Sequence, residues 1–315
     1  MTEQFAKDVL AGLSAVPKYL PSKYFYNEKG DKLFQEIMEL EEYYLTRSEY
    51  DVLDRHKSTL LSHFKENSKP FHLIEFGAGD GLKTKLLLTH FVEQQVNFKY
   101  LPIDISANVL EELTESLKEE IPSLQTEGIN DDYFHALGSI SASDTTKKIV
   151  LFLGGNIGNF RIEGAEKFLC QLSDNLNQGD QLMIGFDLKK DPSVILNAYN
   201  DAKGTTAAFN MNLLDRINDE LGADFQVDEF MHYPVYNPQN GETLSFIVSK
   251  KEQTVRIKAL NTHYHFDAWE AIHTEISKKY DLGEIYDMAE RCNFKVKENF
   301  FDSRKFFVDS LWERI

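Results

Sequence analysis

Leu73–Gly81, LIEFGAGDG, is the stretch from which the rest of the chain can be laid out. A short apolar run ending in Glu75 and Phe76 meets Gly77, Gly79 and Gly81, and LKTKLLLTHFV continues with the spacing of a helix. Strand, tight turn and helix follow one another, with glycine where a side chain would obstruct the turn or a bound ligand. About 24 residues on, a second apolar run, FKYLPIDI, carries Asp104 at the offset from which an acid reaches a ribose hydroxyl. An ordinary α/β turn followed by an incidental acid has the same letters. Strand context and the later acid favour the ligand-binding reading.

Outward from that turn, residues 70 to 190 read as alternating strands and helices. SANVLEELTESLKEEI is a helix that Ser106 can cap, and KKIVLFLGGNIGNF is a buried parallel strand delivering a polar loop at its carboxyl end. GAEKFLCQLSDNL supplies another crossover helix, and DQLMIGFDLKKD returns to a strand ending near Asp187. SLQTEGINDDYFHAL is less regular, a short strand followed by a loop near the site. Such repeats predict a doubly wound α/β sheet with its ligand crevice beyond the carboxyl ends of the strands.

Both flanks break this pattern. Residues 1–62 look helical and are dense in tyrosine, with Tyr24, Tyr26, Tyr43, Tyr44 and Tyr50; packing against the main domain and lining a polar pocket are equally good accounts of them. After Pro192 come helical stretches around a glycine loop, then VDEFMHYPVY, ETLSFIVS and TVRIKAL, strands separated by the turns NPQNG and KKEQ. These antiparallel signals predict an insertion over 191–279 that joins 1–62 in a second, mixed α+β domain. The sheet domain then comprises 63–190 and 280–315, the last part a helix and a terminal hairpin.

The bulk numbers exclude several classes. The 315 residues carry 34 basic and 51 acidic side chains, a formal charge of −17, which disfavours nonspecific attraction to nucleic acid or to anionic membrane. Cys170 and Cys292 are the only cysteines and indicate neither a thiolate metal cluster nor a disulfide framework. Among the nine histidines, His263 and His265 form an H-x-H pair with no third ligand nearby, so no metal site is expected. The N-terminus has no leader-like pattern and no apolar run is long enough to span a bilayer, so cytoplasmic residence is the simplest expectation. GxSxG, HExxH and a Walker loop are missing, which sets hydrolase and phosphoryl-transfer readings at a disadvantage.

Several polar residues sit where a ligand would lie. Asn156 and Asn159 follow a buried strand, and an amide that donates and accepts suits the polar end of an amino acid, although turns also favour Asn. Asp187 reads better as a brace for its loop than as a contact to a reacting group. Tyr199 is either packed or a phenolic donor. Glu275 and Ser277 could grip an imidazole N–H if HTEISKKY is extended, but on local sequence helix initiation with Ser277 as cap is the preferred account.

Six stretches in order, LPSKYFYNEKGDKLFQEI, EEYYLTRSEYDVL, LIEFGAGDGLKT, FLGGNIGNF, AYNDAKGTTAAFN and TEIS, give the chain a wider identity. Across nearly its whole length it resembles the histidine-specific Nα-methyltransferases of ergothioneine biosynthesis, which use S-adenosylmethionine. The resemblance implies a class I methyltransferase domain with a split substrate-binding domain. It implies that Gly77, Gly79 and Asp104 bind the methyl donor. Tyr26, Tyr43, Asn159, Tyr199, Glu275 and Ser277 would contact the substrate, the last two at the imidazole, with Asn159 and Tyr43 the catalytic candidates. Two departures stand out: Ser245 where the family has a methionine beside the substrate ring, and Gly128-Ile129-Asn130 where a GDF sequence is expected near the adenine. The implied reaction is methyl transfer to the α-nitrogen of free L-histidine, successive to the trimethylated betaine and without a metal. Alternatives are methylation of another small amino acid or amine, which Ser245 motivates, and a noncatalytic module that only binds an adenosyl ligand.

Overall fold

In the computed structural model, which describes residues 2–65, 69–143 and 145–315, the chain opens with helices α1 (Thr2–Ser14), α2 (Glu28–Glu39) and α3 (Leu45–Phe64). Asn27 starts α2 by accepting the Gly30 N–H at 2.8 Å. The alternating region then runs β1 (Phe71–Phe76), α4 (Thr84–Glu93), β2 (Phe98–Asp104), α5 (Ala107–Glu120), β3 (Ile129–Asn130), α6 (Tyr133–Ser143), β4 (Lys147–Phe152), α7 (Ile162–Asp174) and β5 (Gln181–Asp187). Ser106 caps α5, accepting from Val109 N at 3.4 Å. The insertion comprises α8 (Pro192–Ala198), α9 (Thr205–Leu221), β6 (Phe230–Asn237), β7 (Glu242–Ser249), β8 (Gln253–Ile257), β9 (Thr262–Phe266) and β10 (Ala271–Lys278). Helix α10 (Leu282–Arg291) and the hairpin β11 (Phe294–Phe301) and β12 (Phe307–Arg314) close the chain. Asp281 begins α10 with a capping box, its side chain taking the Glu284 N–H while Glu284 returns to the Asp281 N–H.

Two units partition these elements: Met1–Tyr44 with Lys190–Lys278, and Leu45–Lys189 with Lys279–Ile315. The first boundary therefore lies at Tyr44/Leu45 rather than near residue 62. Helix α3 sets Val52, Leu53, Leu60, Leu61 and Phe64 into one core with Phe71 and Leu73 of β1. Its apolar stripe identifies it as a packed helix but carries no mark of which body it packs on, so the sequence places it too early.

In the second unit seven strands lie in the order β11-β12-β5-β4-β1-β2-β3. The pairs β3–β2, β2–β1, β1–β4 and β4–β5 are parallel, and β12 runs antiparallel to both β5 and β11. Alternation along β1 sends Phe71 and Leu73 to the core shared with α3, α4 and α5, and Ile74 and Phe76 to the opposite core shared with α7 and α10. Strand order reverses between β1 and β4, so the crevice at their carboxyl ends is the switch point where ligands bind in open α/β sheets. Cys170 and Cys292, 122 residues apart in the chain, meet at a Cα–Cα distance of 4.4 Å and are joined by a disulfide. Linear spacing gave no sign of this contact, which arises because α7 and α10 pack on the same face.

In the first unit a three-stranded antiparallel sheet, β10-β7-β6, packs one face on α9, while β8 and β9 form a separate two-stranded sheet. Phe5, Leu20, Phe25, Phe209, Leu213, Ile247 and Ile272 share its core. The pairing of β10 with β7 is regular through His273↔Phe246 and resumes at Glu275↔Ser245, leaving Thr274 as the extra residue of a β-bulge. Residues 274–278 are thus strand, not the helix start that local sequence favours. Among the described residues no helix is long and apolar enough to cross a membrane.

Candidate active site

The glycine turn after β1 takes its shape from backbone torsions that other residues resist. Gly77, Gly79 and Gly81 have φ of 68°, 55° and 67°, all in the left-handed region. A Cβ on Gly77 would lie 2.8 Å from the Tyr133 hydroxyl, whereas nothing comes within 4 Å of one on Gly79, where the turn faces open space. Asp104 ends β2 and is half-buried; its Oδ1 accepts the Ser106 N–H at 2.9 Å, and its carbonyl accepts from Asn130 Nδ2 at 3.0 Å. The Gly128-Ile129-Asn130 stretch is accordingly an edge pairing, Asp104↔Asn130, beside the acid. Tyr133 stacks on Phe76 with ring centroids 4.6 Å apart, and burial, with the charges of Asp104 and Asp132, pushes its phenol up to about 12.

Beneath the turn lies a buried polar layer. Glu75, 4% exposed, accepts from the Thr84 hydroxyl at 2.6 Å and from the Tyr100 hydroxyl. Burial raises its pKa to about 7, more than these two donors can offset. Glu49 of α3 joins the two loops of the crevice: one carboxylate oxygen accepts the Gly154 N–H at 2.6 Å and the other takes the Lys83 ammonium. A Cβ on Gly185 would run into Glu49 Oε1, so the glycine in the middle of β5 is what admits this carboxylate. Burial, with the charge of Glu49 adding to it, pushes neighbouring Asp309 well above the carboxylate range, and its carboxyl has no hydrogen-bond partner among the described residues.

After β4 the structure separates the two asparagines. Asn156 donates to the Leu153 carbonyl at 3.0 Å and folds over Gly154, fixing the loop. Asn159, at the end of the short 3-10 turn Asn156–Asn159, is exposed, and its amide makes no hydrogen bond among the described residues. Asp187 braces its strand end as expected, paired with Lys279 at 2.8 Å, both side chains buried.

Four of the remaining candidates form hydrogen-bonded pairs in the first unit. Ser245 Oγ donates to Glu275 Oε2 at 3.1 Å, and the Tyr199 hydroxyl donates to Ser277 Oγ at 2.7 Å. Burial raises the Tyr26 phenol, with the charges of Glu275 and Asp31 adding to it, although 48% of the residue is exposed. Four aromatic rings of the same unit form a wall of their own: Tyr26 meets Phe34 and Phe209 edge-on at 5.7 and 5.6 Å, and Phe34 meets Tyr43 at 6.2 Å. Tyr43 belongs to this wall, one ring away from Tyr26. His263 and His265 lie on the exposed face of β9, where His265 pairs with Asp267.

Sequence reading missed Glu75, the Glu49–Lys83 pair and the Asn210–Thr274 contact. Only Lys83, two residues past Gly81, carried a local signal. Glu49 sits in an amphipathic helix and Glu75 in an apolar run, where neither announces a partner.

Residues 5–314 match the family model described as "Histidine-specific methyltransferase, SAM-dependent". The chain is 36% identical over 278 residues to "Histidine N-alpha-methyltransferase" of Mycolicibacterium smegmatis, covering 88% of this chain and 85% of that protein. To the protein of the same description from Mycobacterium tuberculosis it is 34% identical over 274 residues, with coverage of 87% and 84%. "Ergothioneine biosynthesis protein 1" of Schizosaccharomyces pombe is 29% identical over 283 residues, which cover 88% of this chain and 36% of that longer protein.

Proposed function

The chain belongs to the histidine-specific, S-adenosylmethionine-dependent methyltransferases, and from that premise we propose that it methylates the α-nitrogen of free L-histidine, successively to the trimethylated betaine. The observation that carries the substrate reading is the hydrogen-bonded set of Glu275 with Ser245 and Ser277 with Tyr199, in a unit that also carries the interlocked rings of Tyr26, Phe34, Phe209 and Tyr43. A carboxylate flanked by hydroxyls binds an imidazole N–H, and flat rings cover its faces. On the roles that the resemblance implies, Glu275 and Ser277 hold the ring, Tyr26 and Tyr43 enclose it, Tyr199 takes the carboxylate, and Asn159, whose amide makes no hydrogen bond among the described residues, takes the amino and carboxylate groups.

The residues after β1 and β2 fit the donor. Left-handed glycines allow close approach of backbone, and Asp104 spends one oxygen on Ser106, keeping the other for a ribose diol. When bound, S-adenosylmethionine supplies an electrophilic methyl group. The protein's contribution is orientation: the amine must be neutral and aligned behind that methyl, which residues gripping both ends of the amino acid achieve without a covalent enzyme intermediate.

Purified protein given labelled donor and, separately, L-histidine, its monomethyl and dimethyl forms and a panel of other amines tests the proposal. Label is expected in all three histidine compounds, with transfer abolished by Asn159→Ala and histidine KM raised by Glu275→Ala. Ser245, a smaller and more polar residue than the family's methionine, motivates a second reading in which another small amine is preferred. A strong preference for an imidazole-free amine reverses the ranking.

A further inference from the structure

We propose that Thr274 is a positioning residue: the one-residue bulge it forms, pinned by Asn210 of α9, is what turns Glu275 and Ser277 toward the substrate. The inference rests on the imidazole reading of that cluster and deepens it. In β7, Thr243, Ser245 and Ile247 are buried on the face packed against α9, while Phe246 and Val248 face the other way, toward Met231, Tyr233 and Trp269. On β10 before the bulge, Ile272 pairs with Ile247 on the inner face and His273 with Phe246 on the outer. Side chains alternate along a strand, so regular continuation would place 274 and 276 inside and 275 and 277 outside, opposite Leu244 and Glu242 on the far face. Thr274 is extra, and the parity inverts: Glu275 pairs with Ser245 and Ser277 with Thr243, both inner positions. The two substrate-facing groups owe their side of the sheet to a single inserted residue.

What holds the bulge is specific. Thr274 is 2% exposed, and its hydroxyl lies 3.0 Å from both Asn210 Oδ1 and the Ser245 carbonyl, two acceptors for one proton. Asn210, fully buried, is itself oriented by donating to the Thr206 carbonyl at 3.2 Å. The same strand position of β7 therefore contributes its carbonyl to Thr274 and its hydroxyl to Glu275, so a shift of the bulge moves the carboxylate's own partner.

Steady-state kinetics on the full chain test this with Thr274→Val, which keeps the shape and removes the hydroxyl, Thr274→Ser, which keeps the hydroxyl, Asn210→Ala and Glu275→Gln. Thr274→Val is expected to raise the KM for L-histidine about tenfold, the worth of one ordinary hydrogen bond, with kcat and donor KM little changed. Thr274→Ser is expected to restore it. Asn210→Ala reads the same split, and decides the matter if the valine variant does not fold. Wild-type histidine KM in either folded variant overturns the inference, as does a parallel fall in donor and histidine kinetics that serine does not rescue. Glu275→Gln separates the two levels: if it raises histidine KM while Thr274→Val does not, the bulge loses its role and the imidazole reading stands. If Glu275→Gln leaves KM unchanged, the reading of the cluster fails and the inference fails with it.

Discussion

Glu75 shows what a single side chain under the glycine turn does to the molecule's response to pH. Its carboxyl is buried and titrates near 7 instead of 4.5, because burial penalises the charged form more than Thr84 and Tyr100 help it. The folded state therefore holds this proton more tightly than the unfolded chain does. The stabilisation is complete below the unfolded pKa and is lost as pH rises through the folded one, an expected drop of about 3 kcal/mol between pH 4.5 and above 7. Urea titrations of wild type and Glu75→Gln across that range check it: the wild-type curve should fall relative to the variant's as pH rises, and parallel curves would contradict the assignment. Thr84, which begins α4, is one of the two donors to Glu75, so the same proton also bears on the start of the helix behind the turn.

Among the elements, α9 connects local chain geometry most directly to the site. Its first turn is tied down by Asp201, whose two oxygens accept the Thr205 and Thr206 N–H groups at 2.9 and 2.7 Å. Burial alone would raise this acid, but those N–H groups outweigh it and hold the carboxylate below its ordinary range. Asp201→Ala is expected to cost about 1–2 kcal/mol in urea denaturation, and the contribution it removes is one present above the unfolded pKa and lost as pH falls through the lower, folded value. The strands β1, β2, β4 and β5 were legible in the sequence because each is buried on both faces and reads as an apolar run ended by a turn. The route of β10 was not legible. Its letters, HTEISKKY, fit a helix start as well as a strand, and the parity change at Thr274 exists only against the register of β7.

For the whole molecule, the interrupted layout of two units was readable where the pattern changed from alternating strands and helices to antiparallel hairpins. It was not readable at residues 45–62, since a helix's apolar stripe does not name its partner. Candidate site residues divide along the same line. Gly77, Gly79 and Asp104 announce themselves by spacing within one βαβ segment. Asn159 had to be told apart from Asn156 by which amide the loop uses, and Glu49 reaches Gly154 across 105 positions of chain. The Cys170–Cys292 bridge is the extreme case, with the entire insertion, Lys190–Lys278, contained between its ends.

That enclosure has a practical outcome. A protease site engineered into the exposed tip at 237–240 allows the backbone to be cut once inside the enclosed segment. The resulting pieces should migrate as one species on a denaturing gel and fall apart into two only when a thiol reductant is added; separation without reductant would mean the sulfurs are not bonded. The terminal helix and hairpin, including the strand that flanks β5, are in this sense fastened to the front half of the sheet independently of the polypeptide that loops out between them.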